Sequence, residues 1–139
     1  MADDLRIAVA SSVSALRAQS TRMRVLSENL ANATSTASVD GEDPYRRKIV
    51  SFKSELDRAS GASLVGIDAI SRDRSPFPVQ HDPGHPAADQ KGNVRMPNVN
   101  SLVELADMRE ASRSYEANLQ VVKQAREMIG DLVDLLRAK

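Results

Sequence analysis

The chain contains no cysteine and no tryptophan, and aromatic residues make up only 3% of it. Without cysteine it has neither a disulfide framework nor a thiolate metal site. So few aromatics leave little to stack on nucleic-acid bases, and little bulk for an independent core in any short segment. Net charge is missing as well, because 19 basic side chains offset 19 acidic ones. No basic stripe is dense enough to follow a phosphate backbone, so nucleic acid is not an expected partner. Nor is there a run of roughly 18 uninterrupted apolar residues, so no membrane span is expected. The first residues include Asp3, Asp4 and Arg6 and lack the apolar stretch of a cleaved signal peptide.

Proline is confined to one region. All six prolines fall between Pro44 and Pro97, which rules out a long helix there. Three segments are expected on this basis: residues 1–38, 39–97 and 98–139. At 139 residues they amount to one domain, or a helical part with a small insert.

The outer segments carry apolar stripes. Leu5, Val9, Leu16, Met23, Leu26 and Leu30 follow a three-four spacing in which Ser12 and Gln19 fill the gaps. Leu105, Met108, Ala111, Tyr115, Val122, Ala125, Ile129, Leu132 and Leu136 repeat it, with Leu119, Val121 and Val133 alongside. Such a period is the seam of a coiled coil, where each side chain inserts between four others on a facing helix. Helices are predicted over about 4–33 and 101–137, the second opened by a capping box of Ser101 and Glu104. Gly130 inside it costs roughly 1 kcal/mol relative to alanine. The middle predicts short strands at Tyr45–Phe52, Leu64–Ile70 and, more weakly, Phe77–Gln80, with Ser60-Gly61 as a turn. The expected class is α+β: long terminal helices packing as a coiled coil around a small β-rich centre.

A helix of about 36 residues is roughly 54 Å long, more than a compact domain of this mass spans. A two-helix hairpin covers one side of each stripe, and the middle has too few apolar residues to cover the rest. Uncovered apolar surface marks an interaction face. The expected assembly residues are therefore the stripe positions, joined by Leu119. Asn29, Asn32 and Asn118 are candidates for polar pairing that fixes register, as a buried asparagine does in coiled coils.

No catalytic centre is visible. His81 and His85 are four apart, a spacing that serves a metal on a helix, but Pro83, Gly84 and Pro86 forbid the helix. Glu28, Glu104, Glu110 and Glu116 read as helix-face carboxylates, Arg17, Arg22 and Arg24 as a solvated face, and Arg46-Arg47-Lys48 as a short basic run. No metal, cofactor or phosphate loop is expected. Two other classes fit parts of the pattern. A cytosolic coiled-coil adaptor or secretion chaperone needs the same stripes but predicts a discrete dimer. A metal-dependent enzyme would centre on the two histidines.

Several strings then point to one family. They are Ser14-Ala15-Leu16-Arg17-Ala18-Gln19-Ser20, Asn29-Leu30-Ala31-Asn32-Ala33, and Pro44-Tyr45-Arg46 with Phe52. Asp82-Pro83-Gly84-His85-Pro86-Ala87-Ala88-Asp89, Met96-Pro97-Asn98-Val99 and Ala111-Ser112-Arg113-Ser114-Tyr115-Glu116-Ala117-Asn118 complete the set. Together they resemble the bacterial flagellar rod and hook family, and the short length fits its proximal rod members. The resemblance implies a structural protein that assembles with copies of itself and other flagellar rod proteins into a hollow drive shaft. It further implies export through the flagellar type III apparatus without a cleaved signal peptide, and a place in the basal-body rod that crosses the periplasm.

Overall fold

The computed structural model describes residues 2–137. Helix α1 runs Ala2–Ala31, strands β1 Lys48–Leu56, β2 Ser63–Arg72, β3 Val79–His81 and β4 Asn93–Arg95 follow, and α2 runs Ser101–Arg137. The class is α+β, as the sequence predicts. β1 and β2 form one two-stranded sheet and β3 and β4 another. The second is antiparallel, with Gln80 opposite Val94.

The expected helices appear within two residues of their predicted bounds, with Asp3 and Asp4 in the first turn of α1, where negative charge meets the free N–H groups. The expected capping box does not form. Asn100 caps α2 instead, its Oδ1 accepting from the N–H groups of Leu102 and Val103 at 3.0 and 3.3 Å. Glu104 is thereby released for another task.

In the middle, Ser60-Gly61 does turn the chain between β1 and β2. Asp57 organises that turn: its carboxylate accepts from Ala59 N–H and the Ser60 hydroxyl, and Gly61 takes φ of 71°. β1 begins three residues later than expected. Tyr45 N–H, at the expected start, goes to Ser35 C=O and Arg47 N–H to Asn98 Oδ1, so these donors are held outside the ladder. β4 was not anticipated at all. Its partner β3 is fixed at one end by Met96 N–H to Pro78 C=O and at the other by Asp82 N–H to Gly92 C=O.

The residues group into two compact units. Among the described residues the first comprises 2–23, 51–69 and 109–137, the second 24–50 and 70–108. In the first, the buried apolar side chains are Ala18, Ala62, Ala111, Val122 and Ala125; in the second they are Val25, Leu26, Ala87 and Val94. Five of these nine are alanines, so the interior is thin and lets backbones approach closely. Most of the large apolar side chains lie elsewhere.

Candidate assembly surfaces

In the second unit the fully buried centre is polar. Asn29 on α1 has no exposed surface. Its amide nitrogen donates to Lys48 C=O at 2.8 Å and to Glu104 Oε2 at 3.0 Å. Its oxygen accepts from Tyr45 Oη and Lys48 N–H, both at 2.9 Å. Two donors and two lone pairs are all that an asparagine amide offers, so every one is satisfied. The Glu104 side chain is equally enclosed, and its other oxygen accepts from Arg47 Nε at 2.5 Å.

Arg47 spreads its charge further, to Asp73 at 3.5 Å and Asp107 at 3.7 Å. Lys48 pairs with Glu28. Asn98 ties the periphery by donating to Asp73 C=O and to Ser75. Arg46 donates to Asp73 C=O at 3.0 Å and lies 4.0 Å over the Phe77 ring. Burial pushes the Tyr45 hydroxyl pKa up, and the Glu28 and Glu104 carboxylates add to it. Asp73 is held below the ordinary carboxylate value, chiefly by the Ser75 N–H and hydroxyl and also by Arg47. A network so fully satisfied locks α1, the start of β1 and the first turns of α2 into one register.

Sequence reasoning missed Glu104 and Arg47. The signal was present in the phase of α2. Extending Tyr115, Ala111 and Met108 backwards by three and four reaches Glu104, not Leu105. Glu104 is in fact 1% exposed and Leu105 45%. An acid on the seam line needed a buried cation, and the Arg46-Arg47-Lys48 run supplies it.

The remaining stripe residues fall into two groups. Leu26 and Val122 are buried, and Leu5, Val9, Leu16, Met23, Leu30, Met108, Tyr115 and Leu119 are half-buried. On α1 the most enclosed positions, Ala18, Val25 and Asn29, lie roughly 140° round the helix from Leu16, Met23 and Leu30, while the less enclosed Ser12 and Leu26 lie on or toward the stripe. Most of the leucine stripe therefore sits beside the interior and not in it. Leu105, Ile129, Leu132 and Leu136 are exposed, joined by Leu102, Val121, Met128, Val133 and Leu135. Asn32 is half-buried and closes α1, donating to Glu28 C=O and accepting from the Ser35 hydroxyl. Asn118 is also half-buried and donates to Ser114 C=O in its own helix.

In the first unit Arg22 of α1 pairs with Glu110 of α2 at 3.6 Å. There Val9, Ala10, Val13, Leu64 and Ile129 line an open groove of about 570 Å³ together with Arg6, Arg17 and Arg126. The two histidines belong to the second unit and make separate bonds. His85 Nε2 is 3.1 Å from Thr36 Oγ1 while its Nδ1 accepts from Ala87 N–H, and His81 Nδ1 is 3.3 Å from Asn93 Oδ1. Among the described residues, no three His, Asp or Glu side chains are grouped to hold a metal. No described helix is long and apolar enough to cross a membrane.

Comparison with known proteins agrees with an assembly role. Residues 90–135 match the profile of the flagellar basal body rod FlgEFG protein C-terminal region. The chain is 56% identical over 125 residues to the flagellar basal-body rod protein FlgC of Agrobacterium fabrum, covering 90% of each. It is 42% identical over 118 residues to the FlgC of Escherichia coli O6:H1, covering 84% of this chain and 86% of that one. With the FlgC of Borreliella burgdorferi the identity is 36% over 140 residues, covering 88% and 91%. Identity of this extent, over helices and centre alike, means that the chain belongs to the FlgC family of flagellar basal-body rod proteins.

Proposed function

We propose that this structural subunit of the flagellar rod assembles by burying, against its neighbours, the apolar helix faces that a single copy leaves open. One observation carries the reading: alanines fill much of the interior, while Leu102, Leu135 and Leu136 are 77, 68 and 78% exposed. Each such leucine, once covered, contributes about 1.5–3 kcal/mol. The helices of residues 1–38 and 98–139 form the axial core as coiled-coil seams, and residues 39–97 stand outside it. The neighbours are copies of this chain and other rod proteins, and together they enclose a channel and transmit torque through many interdigitated contacts.

On this reading the protein has no catalytic role. It reaches the rod through the flagellar type III export apparatus without a cleaved signal, and occupies the part of the basal body that crosses the periplasm. A thin, alanine-rich interior suits a chain that must be unfolded for passage. Of the stripe residues, Leu5, Val9, Leu16, Met23 and Leu30 of α1 and Leu105, Ile129, Leu132 and Leu136 of α2 make the contacts.

The test is to isolate hook–basal bodies from the source bacterium, with a strain deleted for this chain as control. The chain should be present in the particles by mass spectrometry, and the deletion strain should have no rod. Intact rods in the deletion strain, and particles lacking the chain, would favour a cytosolic adaptor.

A further inference from the structure

The groove of the first unit and the end of α2 have complementary chemistry. Apolar Val9, Val13 and Leu64 share the groove with Arg6, Arg17 and Arg126. All three arginines are exposed, and among the described residues none of them is in an ion pair. Three unpaired guanidiniums around an apolar hollow call for an occupant that is apolar on one side and acidic at its border.

The last turns of α2 are built that way. Leu132, Leu135 and Leu136 stand at i, i+3 and i+4, the anchor spacing of a helix laid into a groove. Asp131 lies at one border of that apolar arc, about 40° beyond Leu135 at 100° per residue. That aspartate is exposed and unpaired among the described residues.

We infer that the groove receives the Leu132–Leu136 end of α2 from a second copy of this chain, with Asp131 set against the arginines. The inference rests on the rod reading and names the contact within it. Groove and helix end are different patches, and on the rod reading each copy's groove takes the end of the next copy head-to-tail, not two copies exchanging ends. Contacts of this type propagate into helical arrays instead of closing as dimers.

The absence of native cysteine makes the test clean. Two differently tagged copies, one V13C and one L135C, are co-expressed in the deletion strain, and isolated basal bodies are oxidised. A covalent heterodimer of the two tags is expected, because neither copy alone can form that bond. Functional rods containing both copies but no heterodimer would overturn the inference and leave the rod reading standing. Particles lacking the chain altogether would overturn both.

A second arm uses charge. D131R added to the L135C copy should abolish the cross-link, and R6E/R17E/R126E added to the V13C copy should restore it. An undiminished cross-link after the first reversal, or no recovery after the second in particles that hold both copies, would equally overturn the inference.

Discussion

Arg47→Met should destabilise this protein more than Glu104→Gln, although the two residues share one ion pair. The Glu104 side chain is wholly enclosed, whereas that of Arg47 is 23% exposed and has two other acidic neighbours. Removing the guanidinium strands a carboxylate in the interior with Asn29 as its remaining side-chain donor. Breaking a buried pair in this way costs about 3–5 kcal/mol. Glutamine at 104 keeps the shape and an acceptor for Asn29, and Arg47 retains Asp73 and Asp107. The glutamine NH2 then faces Arg47 Nε, so one charge-assisted hydrogen bond is lost, about 1.5–3 kcal/mol. The double variant removes the stranded charge and should be more stable than Arg47→Met alone by roughly 2 kcal/mol. Urea titration followed by far-ultraviolet circular dichroism reads these differences. With a slope of about 1–3 kcal/mol/M, Arg47→Met should move the midpoint by more than about 1 M. If Arg47→Met proves no worse than Glu104→Gln, or if the double variant is simply additive, the account of the buried carboxylate is wrong.

Other outcomes follow from single positions. Leu132→Asp should abolish assembly and motility while leaving soluble expression intact; normal motility from that variant would refute the role given to this face. Gly92→Ala should lower the melting temperature, by the equivalent of roughly 2 kcal/mol or more. Gly92 adopts φ of 75°, and an added Cβ would lie 2.8 Å from Pro83 Cγ and 3.0 Å from His81 Cε1. Gly130→Ala meets no atom within 4 Å and should raise stability by about 1 kcal/mol. Asp73 gives an acid limb: its pKa is depressed on folding, so its contribution is complete above the ordinary value of 3.8. That contribution should fade as pH falls from there through the native value, and Asp73→Asn should flatten the limb in acid titrations. Tyr45 should ionise above the ordinary value of 10.0. The phenolate absorbance lost in Tyr45→Phe identifies its curve, and a midpoint below 10 would contradict the buried hydroxyl.

How much of this was legible in the sequence depends on the range of the interactions. α2 was readable to the residue because 37 positions repeat one period, and α1 nearly so. The class followed from the confinement of proline. The side of α1 that faces inward was not readable from leucine spacing. Ala18, Val25 and Asn29 take the buried line because small side chains let backbones approach, and because Asn29 can satisfy a polar interior that leucine cannot. β4 was invisible since three residues carry no alternation; it exists through pairing with β3. The polar network depends on contacts 16 to 75 residues apart, so no local pattern announces it. Only the phase of Glu104 on the seam could have done so. The groove joins residues of α1, β2 and α2 and emerges only when the chain is folded.

The central claim is that the open apolar faces of α1 and α2 meet neighbouring subunits in the rod. Electron cryo-microscopy of isolated basal bodies, at side-chain resolution in the rod, tests it directly. The account predicts Leu102, Leu105, Leu132 and Leu136 within contact distance of other subunits and shielded from solvent. A rod in which those side chains face water, with subunits meeting through the β-strands instead, would contradict it.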